Sequence, residues 1–200
     1  MAHKFDPAHK DALSSARRQE AIQPRNLLQQ AGLQAGEVVL DLGCGTGFFA
    51  IPAAQLVGST GRVIGVDVQP AMVQAAQEAA QQAGCANVTA RLAPGDYTLP
   101  ADLPQADWVI LAYVLHEVTE PQRLLGLALQ RLKPGGKILI VEWPKEDGPH
   151  GPPKAERLAP VELAAHYIPL GLQPLKFWEV LPEFYALVLQ ASPQPGSAAH

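Results

Sequence analysis

Apolar residues gather in five short blocks between residues 37 and 142, and polar or glycine-rich turns and stretches of helical character separate them. The blocks Val38–Leu42, Arg62–Val68, Val88–Leu92, Trp108–Tyr113 and Lys137–Glu142 predict five strands. Trp108–Tyr113 is apolar throughout, as strands buried on both faces of a parallel sheet are. The intervening pattern predicts helices over Phe48–Val57, Ala71–Ala83 and Thr119–Lys133. Pro70 suits a first helical position and Thr119 a cap, while Gly84 and Pro134-Gly135-Gly136 read as stops. This alternation predicts an α/β fold: a Rossmann-like, doubly wound, mostly parallel sheet with right-handed crossovers.

The alternation breaks at the proline-rich loop 144–153. A helix is predicted over Pro160–Gly171, and Leu175–Leu181 and Phe184–Gln190, separated by Pro182 and Glu183, predict a terminal hairpin whose last strand runs antiparallel. Residues 1–36 form a polar preface with helical stretches at Asp11–Gln19 and Arg25–Ala31. The expected division is a helical lid over 1–32, one domain over 33–190 and a disordered tail over 191–200, rich in Pro, Ser and Ala.

Composition narrows the class. With 200 residues and 48% hydrophobic content there is room for one sizeable core. Fifteen basic residues face 19 acidic ones, and no basic run exceeds Arg17-Arg18, so no nucleic-acid partner is expected. Two cysteines make no disulfide framework, and no apolar window reaches the roughly 18 residues of a membrane span. The expectation is a cytoplasmic protein without a membrane partner. No His/Cys set has zinc spacing, so no metal is expected, and no nucleophile-elbow spacing occurs.

The densest chemical signal follows the first strand: Asp41-Leu42-Gly43-Cys44-Gly45-Thr46-Gly47-Phe48. Alternating glycines admit positive φ and let a flat ligand approach the backbone. The dinucleotide fingerprint G-x-G-x-x-G would place its third glycine at 48, where this chain has Phe. Asp41 sets a carboxylate beside the turn, which suits a cationic ligand better than a pyrophosphate. Asp67 ends the second strand 20 residues after Gly47, where an acid can accept ribose hydroxyls, or else assist the helix that begins at Pro70.

With these residues the chain resembles the class I S-adenosylmethionine-dependent methyltransferase family, whose first motif is D-x-G-x-G-x-G, and within it the small proteins related to quinone-biosynthesis and arsenite enzymes. The resemblance spans about residues 33–190 and implies a seven-stranded sheet with an antiparallel C-terminal strand. It implies cofactor contacts from Asp41, Gly43, Cys44, Gly45 and Gly47, and from Asp67 with Val68. It also implies that Asp96, beside Gly95, receives the adenine amino group and that the Tyr97 amide meets a ring nitrogen, although Asp after Gly is also an ordinary turn residue. Ala112 is small where the ligand would pass, and His116 is the imidazole expected near the reacting centre, as a proton acceptor or as a brace for the next helix. Glu142, Trp143, His166 and Tyr167 could wall the acceptor pocket.

The implied reaction is in-line methyl transfer to a small-molecule acceptor, leaving S-adenosylhomocysteine. Two cysteines make arsenite an improbable acceptor. The alternatives are a nicotinamide-dependent oxidoreductase and a non-catalytic adenosylmethionine-binding domain.

Overall fold

The computed structural model describes residues 22–148, 151–180 and 183–191. Seven strands form one sheet: β1 (Val38–Leu42), β2 (Arg62–Asp67), β3 (Val88–Leu92), β4 (Ala106–Ala112), β5 (Leu132–Glu142), β6 (Leu172–Val180) and β7 (Phe184–Ala191). Their order is β3-β2-β1-β4-β5-β7-β6. Strands β1 to β5 are parallel, and β7 runs antiparallel to both its neighbours. The expected doubly wound sheet and terminal hairpin are therefore both present. Strand order reverses between β1 and β4, the place where open α/β sheets leave a crevice beyond their carboxyl ends.

Five described helices cover the sheet: α1 (Pro24–Ala31), α2 (Ala50–Val57), α3 (Pro70–Gln82), α4 (Pro121–Gln130) and α5 (Pro160–Tyr167). Side chains alternate across the strands with period two. Val39, Trp108, Ile110, Leu139, Val141, Ala186 and Val188 join the core under α1 and α2. Leu40, Val109, Leu111, Ile138, Ile140, Leu187 and Leu189 join the one under α4 and α5. Both faces of the central strands are dry, hence their unbroken apolar runs.

Several boundaries differ from the expectation, each for a local reason. Helix α1 is part of the core rather than a polar preface, because Ile22, Leu27, Leu28 and Ala31 are buried with Ala50, Ala53 and Val57. Helix α4 starts at Pro121, with Glu120 at its N-cap position and no side-chain cap; the Thr119 hydroxyl is bonded to that of Tyr97 at 3.0 Å. The same helix stops at Gln130, and β5 takes up Leu132, which pairs with Ala106 ahead of a register shift. Pro134-Gly135-Gly136 thus lies inside an irregular strand, not at a helix end. Helix α5 gives way to a 3-10 turn at Ile168–Leu170, and β6 begins at Leu172. The expected helix Asp11–Gln19, the lid role of residues 1–21 and the tail 192–200 lie outside the described residues.

Candidate functional site

The glycine turn folds back onto the end of β2. Gly43 and Cys44 amides donate to the Val66 carbonyl at 2.7 and 3.1 Å, the Gly45 amide to Asp67 Oδ2 at 2.9 Å, and the Gly47 amide to the Cys44 carbonyl at 2.9 Å. These four amides are thus engaged inside the fold, contrary to the expectation that a ligand would lie on them. The turn offers a ligand its bare glycine surface instead. Gly43, at φ 75°, has a second constraint: a Cβ there would sit 2.4 Å from Val114 Cγ2, on the loop after β4. Gly43→Ala should therefore cost about 2 kcal/mol or more in stability, from the left-handed conformation plus overpacking. Thermal denaturation of G43A and of G43A/V114A checks this; the double variant regains space but keeps the backbone penalty, so equal melting temperatures for both and the parent would refute it.

Asp41 is 2% exposed, and its Oδ2 has no hydrogen-bond partner among the described residues. Burial pushes its carboxyl up to about 7, nearby Asp67 adds to the rise, and the Ala50 amide opposes it. The buried Thr46 hydroxyl likewise lacks a partner. The Cys44 thiol is held well above its usual range, by burial first and then by Asp41 and Asp67. It is an inert thiol, packed where Gly65 of β2 leaves room for it. Asp67 accepts the Gly45 amide through Oδ2 and the Gln69 amide through Oδ1, each at 2.9 Å. It therefore ties the turn and the start of α3 to β2.

A cavity of about 780 Å³ opens above these groups, across the junction of β1 and β4. Asp41, Gly43, Cys44, Gly45, Asp67, Val68, Gly95, Asp96, Ala112 and His116 line it, all of them expected site residues. Gly47 and Tyr97 do not. A Cβ on Gly47 would make ordinary contacts with Ile51 and Ala76, so the left-handed φ of 86°, not lack of space, calls for glycine there. The Tyr97 hydroxyl accepts the Glu120 amide at 2.8 Å and its ring carries Arg123 at 4.7 Å, which ties its loop to α4. His166 and Tyr167 lie elsewhere on α5, with Tyr167 in the core.

The other half of the cavity rises from the ends of β4, β5 and β7. Tyr113, Trp143 and Phe184 form an aromatic wall with ring centroids 4.4 to 5.8 Å apart, and Phe49 extends it at 6.4 Å from Tyr113. Tyr113 has φ 59°, a left-handed conformation uncommon for a non-glycine residue. Arg157 fastens residues 144–148 and 151–158 over this wall: it donates to the Pro152 and Glu146 carbonyls at 2.9 and 2.8 Å and lies 5.3 Å from the Trp143 ring centroid.

His116 lines the cavity with its Nδ1 2.8 Å from Glu142 Oε2, and Glu142 is fully buried. Glu142 also accepts the Leu115, His116 and Trp143 amides at 2.9, 3.3 and 3.2 Å. Burial opposes the charged imidazolium, yet Glu142, with Glu117 and Glu156, outweighs it and raises the His116 pKa above its ordinary value. In the neutral ring, with Nδ1–H donated to Glu142, Nε2 holds the lone pair. Sequence reading took Glu142 only as a wall residue; an acid closing a fully apolar strand was the signal available for more.

A family model described as a methyltransferase domain matches residues 33–157. The chain belongs to the methyltransferase-domain family. Among solved structures it is similar to a SAM dependent methyltransferase from Aquifex aeolicus, with 30% identity, TM-score 0.86, and coverage of 93% of this chain and 98% of that one. The ubiquinone/menaquinone biosynthesis C-methyltransferase UbiE of Marinomonas sp. is 30% identical over 123 residues, 62% of this chain and 49% of that protein. An arsenite methyltransferase of Halobacterium salinarum is 39% identical over 110 residues, 55% of this chain and 28% of that protein. The chain thus spans half the length of these curated relatives or less. Among the described residues of this member of the methyltransferase-domain family, no helix is long and apolar enough to cross a membrane, and no three His, Cys, Asp or Glu residues are grouped to hold a metal ion.

Proposed function

We propose that this methyltransferase binds S-adenosylmethionine in the β1–β3 half of the cavity and transfers its methyl group to a small molecule held in the β4–β7 half. The observation that carries this reading is the Asp41 carboxylate, buried with one oxygen unpartnered at the cavity wall. Leaving such a group unpaired is costly, and a cationic ligand removes the penalty. Asp67, at the end of β2 on the cavity wall, would hold the ribose, and Asp96 the adenine, beside Gly95. Adenosylmethionine supplies an electrophilic methyl on a sulfonium, whose departure leaves a neutral thioether. The protein's share is to place the acceptor in line and to take its proton, for which His116 Nε2 is the candidate base. The cavity suits this use, since sites for drug-sized ligands occupy roughly 300–1,000 Å³.

Calorimetric titration with S-adenosylmethionine, S-adenosylhomocysteine and NAD tests the reading. Asp41 must ionise to meet a cation, so S-adenosylmethionine should bind about tenfold more tightly at pH 8 than at pH 6, with proton release near pH 7. The sign for folding is opposite: between pH 3.8 and about 7 the native carboxyl keeps a proton that the unfolded chain has lost, so stability without ligand falls as pH rises. Binding of NAD alone would overturn the assignment, and pH-independent affinity would remove Asp41 from it.

A further inference from the structure

The β4–β7 half of the cavity has a roof as well as an aromatic wall, and Trp143 joins the two. Gly151, Pro152 and Pro153 line the cavity together with Trp143 and Phe184. A Cβ on Gly151, at φ 90°, would come within 2.6–2.7 Å of three Trp143 ring carbons, so the backbone of this glycine lies directly on the indole. Phe184 meets the same ring at 4.4 Å with the planes 61° apart. Arg157 is buried, does not itself line the cavity, and holds the assembly through the Pro152 and Glu146 carbonyls and the indole face. A planar guanidinium suits bonding two carbonyls while lying over a ring, which a lysine ammonium does poorly. Roof and wall offer a ligand few donors. Pro152 and Pro153 have no N–H, and the Pro152 carbonyl is bonded to Arg157. The Leu115, His116 and Trp143 amides donate to Glu142, and the Tyr113 amide to the Val141 carbonyl. An anion seated here would find these donors engaged, and burying an anion without donors is costly. An aromatic ring instead extends the edge-to-face packing of Tyr113, Trp143 and Phe184, with a gain beyond the area it buries.

We propose that the acceptor is a flat aromatic molecule without negative charge, and that Arg157 sets this specificity by holding the Gly151–Pro153 roof against Trp143. This rests on the reading of the cavity as a methyl-transfer site. Arg157 is a positioning residue, since it acts through the roof and the indole rather than on the ligand. With its fork in place, Trp143 stays fixed between Gly151 and Phe184, and the rigid wall fits a ring one atom thick. With the fork lost, the roof lifts and the indole turns, so the wall yields to thicker, puckered rings. Discrimination between flat and saturated bodies then falls. The cofactor half, built on β1–β3, is untouched by the change.

The test uses the full chain saturated with S-adenosylhomocysteine. Binding is measured by calorimetry for two matched sets: phenol, cyclohexanol and benzoate, then naphthol, decahydronaphthol and naphthoate. In at least one set the flat alcohol should bind about tenfold more tightly than its saturated counterpart, the worth of two aromatic pairs, with the carboxylate weakest. In R157K that preference should shrink to about threefold or less, while S-adenosylhomocysteine affinity stays within about twofold of wild type. P152A/P153A, which trims the roof and leaves Arg157 in place, should show the same loss, and S-adenosylhomocysteine binding reports that each variant is folded. If S-adenosylhomocysteine binds but saturated rings or carboxylates match the flat alcohols in both sets, the inference is overturned while the cofactor site stands. A wild-type preference retained in the folded variants overturns it equally. If S-adenosylhomocysteine itself fails to bind the wild-type chain, the site reading falls and takes this inference with it.

Discussion

Glu142→Ala is expected to be the most damaging single substitution in the site. It removes the acceptor for three backbone amides and for His116 Nδ1 in a fully buried position. Breaking a buried pair by deleting one partner costs about 3–5 kcal/mol. At about 2–4 °C per kcal/mol for a domain of this size, the melting temperature should fall by roughly 6–20 °C. Since E142A tests stability, E142Q separates the chemical role. Glutamine keeps one carbonyl acceptor for the amides but can turn its NH₂ toward Nδ1, which then must accept, so Nε2 carries the hydrogen and cannot take a proton. E142Q should therefore fold and bind S-adenosylhomocysteine, with methyl-transfer turnover down about a hundredfold. Glu142, Glu117 and Glu156 raise the His116 pKa, so the stability from the charged pair is present below pH 6.5 and is lost as pH rises through the raised value. The basic form appears in that same upper range, so wild-type turnover should climb there. An E142Q profile identical to wild type would reduce His116 to a brace for the turn.

Asp67→Ala should have the largest effect on cofactor binding. A hydrogen bond to a charged group contributes about 1.5–3 kcal/mol, so losing the ribose contacts and loosening the Gly45 turn should weaken S-adenosylhomocysteine about a hundredfold or more. Asp67 also raises the Asp41 pKa. Removing its charge should therefore move the pH midpoint of S-adenosylmethionine binding downward, whether or not Asp67 touches the ribose. Isothermal titration of D67A and D67N across pH 6–8 reads both effects. Wild-type affinity in D67N would exclude the ribose contact.

Period and punctuation carried most of the sheet. β3 lies at the predicted Val88–Leu92, and the antiparallel pair of β6 and β7 follows from two apolar runs with a break between them. Boundaries failed where tertiary contacts outweigh local propensity. Thr119 has a capping side chain, but Tyr97 takes its hydroxyl and Pro121 sets the first turn. Pro134-Gly135-Gly136 looks like a helix stop, yet pairing of Leu132 with Ala106 draws it into β5. In the site, the strand-end acids Asp41 and Asp67 were legible because position along a strand fixes which end they occupy. The Glu142–His116 contact spans 26 residues, and the aromatic wall comes from four separate stretches of chain, so no spacing announces either.

The backbone of Tyr113 sets two demands against each other. Its left-handed φ of 59° would suit glycine, and an L-residue there gives up about 1–2 kcal/mol of conformational energy. The Tyr113 amide nonetheless stays bonded to the Val141 carbonyl at 2.8 Å, and its ring touches Phe49, Trp143 and Phe184. Glycine would relax the chain and leave a ring-sized hole in the middle of that wall. A relaxed backbone and a filled wall therefore call for different residues at this position, and tyrosine serves the wall.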